Sequence, residues 1–208
     1  MTKSKKKPAK FNLRHVIRIS LIILVPILLA VGARWHMLFP ETVEEPSGGP
    51  FTLVDHTGKV RSNTDFFGSY VLLYFGYTYC PDVCPVSLQA TNDILDILPE
   101  DIAEQIIPVM ISVDPERDTP EQMAQFVQNF HPRTIGLTGT VEQIQKVSQD
   151  FQVISEKSGT DDSYLIDHTS IFFLIGPKGA LLKRFPSLLA PETIASQIQE
   201  FLSTRSSP

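Results

Sequence analysis

The apolar residues of this chain form one long run near the N-terminus and, after it, a series of short segments separated by polar turns. The long run covers residues 16–39, and its unbroken part, I-S-L-I-I-L-V-P-I-L-L-A-V-G-A at 19–33, carries no charge. A helix that spans a membrane needs about 20 mainly apolar residues, tolerates a proline such as Pro26 and often ends at an aromatic residue such as Trp35. The pattern therefore predicts a single transmembrane anchor at 16–39.

The short segments after residue 50 predict strands and helices in turn. F-T-L-V, followed by D-H-T-G-K and V-R, is typical of a hairpin with Gly58 in the turn. Continuous apolar runs at 70–75 and 107–113 indicate strands buried on both faces, and I-F-F-L-I at 171–175 starts a second hairpin. Helical spacing and capping signals predict helices that begin near Cys84, at Pro120 after a Thr119 N-cap with Gln122, after Thr140 with Gln143, and at Pro191.

This order of elements predicts an α/β, thioredoxin-like fold with an N-terminal β-hairpin. Two parallel strand–helix crossovers come first, and a hairpin and a helix complete the domain. We expect the domain at 51–208, joined to the anchor by the Pro- and Gly-rich linker P-E-T-V-E-E-P-S-G-G-P at 40–50. In a sheet of this kind, ligands bind beyond the carboxyl ends of the parallel strands.

The distribution of charge predicts the orientation of the anchor in the membrane. The first 18 residues carry +7 with no acidic residue, and the rest of the chain carries −12. A basic tail alone is typical of nucleic-acid binding, but this one leads directly into the apolar run, so the positive-inside rule applies instead. We predict a cytoplasmic tail at 1–15, a single-pass anchor in a bacterial inner membrane and a periplasmic domain. A signal peptide cleaved after Ala33 is the alternative, and the tail lacks the Arg- and Ser-rich character of a mitochondrial presequence.

The only two cysteines, Cys80 and Cys84, follow the first long strand and are separated by three residues. A disulfide between them would close a very small loop and would stabilise the fold little, and a thioredoxin dithiol has two residues between its cysteines. If the helix begins near Cys84, with Asp82 as its cap, both thiols can project to one side. The helix N-terminus is then expected to lower a thiol pKa.

His168 is the third candidate ligand. It stands in Y-L-I-D-H-T-S, in the predicted loop before the strand at 171–175, and in a thioredoxin-like topology that loop lies beside the cysteines. Two thiolates and an imidazole select Cu(I) or Zn(II). Zinc wants a fourth ligand, and the sequence has no further cysteine, so the three soft ligands favour Cu(I). A buried histidine satisfied by hydrogen bonds is the alternative. The remaining histidines are predicted to be surface or turn residues: His15, His36, His56 and His131.

Three motifs carry a resemblance to a known family. L-L-Y-F-G-Y-T-Y-C-P-D-V-C-P, S-V-D-P-E-R-D-T-P and Y-L-I-D-H-T-S, behind one N-terminal anchor, closely resemble the SCO/SenC family of membrane-tethered copper proteins of cytochrome c oxidase assembly. The resemblance implies that Cys80, Cys84 and His168 bind one copper ion, as Cu(I) or Cu(II). It also implies that Asp114 aligns with an acidic residue near the site. Alternatively, Asp114 and Asp118 only shape the turn before the Thr119 cap.

The resemblance also implies a partner, the binuclear CuA centre of cytochrome c oxidase subunit II. A periplasmic copper donor and a thiol reductant are further candidate partners, and the N-terminal pattern predicts contact with a membrane and none with nucleic acid. The primary hypothesis is a metallochaperone that delivers copper to this centre. The alternative is a thiol-disulfide oxidoreductase that uses Cys80 and Cys84 as a redox-active pair to reduce the cysteines of the centre. A thiol peroxidase explains neither the second cysteine nor His168.

Overall fold

A computed structural model of the chain describes residue 24, residues 48–159 and residues 163–205. The chain divides into two compact units, Met1–Glu44 and Glu45–Pro208, and all described residues except Leu24 belong to the second. No helix within the described ranges is both long and apolar enough to cross a membrane. Apart from Leu24, the predicted tail and anchor lie outside these ranges, as do linker residues 40–47.

The second unit, where described, contains nine strands, five α-helices and a 3-10 turn at Asn63–Phe66. The strands are β1 Thr52–Asp55, β2 Val60–Ser62, β3 Tyr70–Gly76, β4 Ile106–Ser112, β5 Ile135–Thr138, β6 Ser155–Ser158, β7 Leu165–His168, β8 Ile171–Ile175 and β9 Leu181–Pro186. The helices are α1 Val83–Ile97, α2 Glu100–Ala103, α3 Pro120–Val127, α4 Val141–Asp150 and α5 Pro191–Arg205.

Seven strands form one mixed sheet in the order β2-β1-β5-β4-β3-β8-β9. Strands β3, β4 and β5 are parallel to one another, whereas β8 is antiparallel to β3. Each parallel pair is connected through helices, as a parallel crossover requires. The arrangement is a thioredoxin-like α/β fold, as the element order predicts, with the hairpin β1–β2 added at one edge.

The central strands are buried because helices and neighbouring strands cover them. In β3 only Tyr70 is partly exposed, and the other six residues are buried. A strand covered on both faces has apolar residues at nearly every position, which is why the run Y-V-L-L-Y-F predicts it. Helices α1 and α5 pack against each other, and the inward faces of both join the main core. Each large aliphatic side chain buried here contributes about 1.5–3 kcal/mol.

The predicted turns and caps agree with the structure in most details. Gly58 lies in the β1–β2 turn with φ +83°, a conformation that glycine adopts without steric cost. Thr119 accepts a hydrogen bond from the Gln122 amide. Thr140 and Gln143 form a complete capping box at the start of α4.

The prediction missed the short strand β5 and the separate hairpin of β6 and β7. This hairpin is a two-stranded antiparallel sheet in which Ser155 pairs with His168 and Ser158 with Leu165. His168 therefore ends a strand, whereas the sequence predicted that it lies in a loop. Only two residues separate His168 from the start of β8, so the hairpin brings His168 directly to the edge of the main sheet.

Candidate metal centre

The topology brings the predicted ligands to one edge of the sheet. Strand β3 runs towards the cysteines and pairs antiparallel with β8, with Tyr74 opposite Phe172. The residues that follow β3 and the residues that precede β8 therefore meet at the same edge. This edge lies at the carboxyl ends of the parallel strands, where ligands bind in open α/β sheets.

Cys84 and His168 are in direct contact there. The Cys84 sulfur lies 3.3 Å from Nε2 of His168, and the Cys84 side chain is fully buried. On the other side of the ring, Nδ1 lies 3.2 Å from the carbonyl oxygen of Thr169. Because a carbonyl only accepts, Nδ1 carries the proton of the neutral ring. The Nε2 lone pair therefore faces the thiol, and that is the atom a metal ion would bind.

Two tyrosines fix the plane of the His168 ring. Tyr74 and Tyr77 each meet it edge-on, with ring centroids 5.9 Å apart in both cases. The Tyr74 hydroxyl also lies 3.9 Å from the Cys84 sulfur, and the Tyr77 hydroxyl accepts a hydrogen bond from the Ile166 amide in β7. The imidazole is therefore held in an aromatic pocket and is half-buried.

Cys80 caps the first turn of α1. Its sulfur accepts a hydrogen bond from the Cys84 amide at 3.4 Å, and both cysteines are free thiols. Asp82 occupies the N-cap position, as the sequence predicts, but its side chain makes no capping hydrogen bond. The Cys80 sulfur is therefore held next to the helical turn that carries Cys84.

Burial determines the protonation states of the Cys84 thiol and the His168 imidazole. Burial raises the pKa of the Cys84 thiol, and the adjacent Cys80 raises it further. The predicted lowering by the helix N-terminus is therefore wrong for Cys84, because the loss of hydration outweighs it. Burial also lowers the pKa of His168 below its ordinary value of 6.5. At neutral pH the site contains a neutral thiol and a neutral imidazole.

The donor set fits a soft metal ion in chemistry and nearly in distance. In a tetrahedral zinc site, with bonds of about 2.3 Å to sulfur and about 2.0 Å to nitrogen, these two ligand atoms lie roughly 3.5 Å apart. The Cys84–His168 pair, at 3.3 Å, needs only a small widening. The described ranges contain no group of three or more His, Cys, Asp or Glu side chains already arranged to hold a metal ion. A three-ligand site would therefore require adjustment when the ion binds.

The described histidines outside the site have structural roles. Nδ1 of His56 accepts a hydrogen bond from the Gly136 amide, and Nδ1 of His131 accepts one from the Arg133 amide. These contacts agree with the turn roles expected for both. His15 and His36 lie outside the described residues.

The loop after β4 carries two buried aspartates whose hydrogen bonds reach the segments on either side of the site. The sequence indicates only part of this network. Asp118 is buried and accepts hydrogen bonds from the amide and hydroxyl of Thr78, at 3.1 and 2.6 Å. Asp114 is also buried and accepts from Arg117 and from the Tyr164 hydroxyl. Both aspartates therefore bind side chains beyond their own turn. Arg117 was missed, although its motif follows a buried strand that ends at the site edge.

The fold and the site together define a thioredoxin-like protein with two thiols and an imidazole at the carboxyl edge of its parallel strands. The SCO1/SenC family model matches residues 40–203, and the chain belongs to this family.

Curated relatives agree with the family assignment. The chain is 38% identical over 181 residues to an SCO2-like protein of Rickettsia prowazekii, covering 79% of this chain and 88% of that one. It is also 38% identical over 159 residues to the mitochondrial SCO2 homolog of Danio rerio, covering 75% of this chain. That match spans only 57% of the Danio rerio protein.

Solved structures share the fold closely. Arabidopsis thaliana ScoI with copper bound matches with a TM-score of 0.73 and 34% identity, over 76% of this chain and 99% of that one. BsSco, described as a member of the Sco family of cytochrome c oxidase assembly proteins with a disulfide switch, matches with a TM-score of 0.60 and 26% identity. That match covers 74% of this chain and 92% of BsSco.

Proposed function

We propose that this protein is a copper chaperone of cytochrome c oxidase assembly that binds one copper ion through Cys80, Cys84 and His168. The observation that carries the proposal is the partly buried 3.3 Å contact between the Cys84 sulfur and Nε2 of His168. Cys80 is hydrogen-bonded to the same helical turn. A related structure holds copper, and another belongs to a family of oxidase assembly proteins.

The neutral Cys84 thiol suits a cargo that has to be released. Copper binding requires the Cys84 thiol to lose its proton, and the raised pKa of this buried thiol opposes that loss. The His168 lone pair is available without deprotonation. Copper then leaves by ligand exchange, in which a thiolate of the acceptor binds the ion as a thiolate of this chain dissociates. We propose the CuA centre of oxidase subunit II as the acceptor, and a periplasmic copper carrier as the donor.

The reduced cysteine pair also supports a second function, a thiol-disulfide reductase. A Cys80 or Cys84 thiolate would attack a disulfide of the partner and form a mixed disulfide. The second thiol would then release the partner's dithiol and leave a Cys80–Cys84 disulfide, with two electrons and two protons transferred. A separate thiol reductant would restore the pair. The observation that favours this function is that both cysteines are free thiols, and that the Cys80 sulfur accepts a hydrogen bond from the Cys84 amide.

Copper titration separates the two functions. We expect one copper per molecule in the wild type and loss of copper binding in Cys80→Ser, Cys84→Ser and His168→Ala. His131→Ala is the control, since that histidine only supports a turn. A chaperone also requires all three residues to support oxidase assembly in cells. If His168→Ala keeps full assembly while both cysteine variants lose it, the reductase is the better assignment.

We also propose that residues 16–39 anchor the domain in a bacterial membrane, with the tail at 1–15 in the cytoplasm and the domain in the periplasm. The charge pattern supports this orientation, and the Rickettsia relative supports a bacterial origin. Membrane fractionation with N-terminal sequencing tests it. A mature chain that begins at Arg34 would show that the segment is a cleaved signal peptide.

A further inference from the structure

One guanidinium group lies between the two segments that carry the candidate ligands. Nε of Arg117 is 2.5 Å from Oδ2 of the buried Asp114, and the Arg117 side chain is only 15% exposed. Its guanidinium carbon lies 3.6 Å from the ring centroid of Tyr164, 4.8 Å from that of Tyr79 and 5.9 Å from that of Tyr77. All three distances are within the range of cation–π attraction.

The three tyrosines belong to the segments that hold the site. Tyr77 and Tyr79 lie in the loop between β3 and Cys80, and Tyr77 also contacts the His168 ring. Tyr164 directly precedes β7, the strand that ends at His168, and its hydroxyl donates to Asp114 at 2.6 Å. Arg117 therefore contacts residues 77–80, here called the cysteine loop, on one side. On the other side it contacts Tyr164, which leads into strand β7 and so to His168.

Stability alone does not explain this arrangement. A buried arginine–aspartate pair loses hydration, and that loss offsets much of its attraction. The planar guanidinium can lie against several rings while it keeps its bond to a carboxylate, which a lysine ammonium cannot do equally well. Lys157 shows the contrast, because it is half exposed and lies over Tyr164 alone of these three rings.

We propose that Arg117 is a positioning residue of the metal site. By holding Tyr77 and Tyr79 against Tyr164, it sets the distance between the cysteine loop and His168. This inference rests on the proposed copper function. Arg117 affects the geometry of the site and its affinity for copper. It is not itself a ligand, since a guanidinium has no lone pair to offer.

The test compares Arg117→Met and Arg117→Lys with the matched control Arg61→Met in the full-length protein. Arg61 also pairs through Nε with a buried aspartate, Asp55, at 2.8 Å, but in the N-terminal hairpin. We expect Arg117→Met to weaken copper binding roughly ten- to a hundredfold and to alter the sulfur-to-copper charge-transfer band. Arg117→Lys should be weakened less, with an altered band, whereas Arg61→Met should lose thermal stability without either change.

A second readout needs no copper. In the metal-free protein, the ¹⁵N resonances of the His168 ring should shift in both Arg117 variants and stay in place in Arg61→Met. Unchanged resonances, copper affinity and spectrum in Arg117→Met would overturn the proposal. If that variant does not fold, the same unchanged results in Arg117→Lys would overturn it. A wild type that binds no copper would contradict the proposed function, while the ring resonances would still decide the role of Arg117.

Discussion

Cys84 is the least accessible group of the candidate site, and its chemistry follows from that. The side chain has no exposed surface, whereas Cys80 retains 8% exposure. Burial raises the pKa of the Cys84 thiol, so the reactive thiolate is scarce there at neutral pH. If the protein acts as a reductase, Cys80 is therefore the residue that would attack a partner's disulfide.

We predict that iodoacetamide modifies Cys80 well before Cys84 in the reduced, metal-free protein at neutral pH. Timed quenching followed by peptide mass spectrometry measures the two rates. Unfolding in urea is the control and should bring the rates together, because it removes the burial that separates them. Equal rates in the folded protein would show that the Cys84 thiol is accessible and ionised.

The approach of helix α1 to strand β3 depends on a residue without a side chain. A Cβ atom on Gly76 would lie 3.0 Å from the Cys84 sulfur and 2.8 Å from a ring carbon of Tyr74. Such contacts are too close, so any larger residue would displace the sulfur or the ring. The glycine at the end of β3 therefore makes room for the candidate ligand.

We predict that Gly76→Ala destabilises the domain by about 1–3 kcal/mol and weakens copper binding. Gly136→Ala is the matched control, because its Cβ would crowd Met123 and Val127 at 2.8 and 2.9 Å, between β5 and α3. Urea unfolding should show similar losses in the two variants, while copper titration should show a loss only in Gly76→Ala. Equal copper affinity in both would mean that the sulfur is not displaced.

The elements that the sequence predicts well are those whose pattern reflects burial or capping. Strand β3 is apolar throughout because it is covered on both faces, and Thr140 marks the start of α4 by its chemistry. Strand β5 is only four residues long and contains Gly136. Strand β6, S-E-K-S, is exposed at every position, so no apolar alternation indicates it.

Some features of the candidate site can likewise be predicted from the sequence, and others cannot. The candidate ligands and their place at one sheet edge follow from the motifs and the topology. The tautomer of His168, the raised pKa of Cys84 and the role proposed for Arg117 depend on contacts between segments far apart in the chain. Tyr164 and Arg117, for example, meet across more than forty residues, and no local pattern encodes that meeting.

At the scale of the whole domain, a buried carboxylate links the N-terminal hairpin to acid stability. Burial acts to raise the pKa of Asp55, but hydrogen bonds from Thr57, Arg61 and Lys59 hold it well below its ordinary value of 3.8. The folded state therefore binds this proton less readily than the unfolded state does. The resulting stabilisation is present above pH 3.8 and is lost as the pH falls towards the lowered pKa.

We predict that Asp55→Asn lowers the free energy of unfolding at pH 7 by about 1.5–3 kcal/mol and makes it depend less on pH below about 4. Urea unfolding between pH 7 and pH 3 measures both effects. Asp101→Asn, which alters an exposed carboxylate on α2, is the control and should follow the wild type. A variant curve parallel to the wild type would show that Asp55 does not titrate differently in the folded state.

The contact between Cys84 and His168 joins residues 84 positions apart in the chain. The place of His168 beside Cys84 depends on the pairing of β8 with β3, and pairings this distant in sequence are slow steps of folding. A newly made chain offers two neighbouring thiols but no imidazole beside them. In zinc fingers the ion itself drives the peptide to fold, whereas here the native sheet would have to exist before its cargo is taken up. Copper would then bind only to molecules that have completed folding.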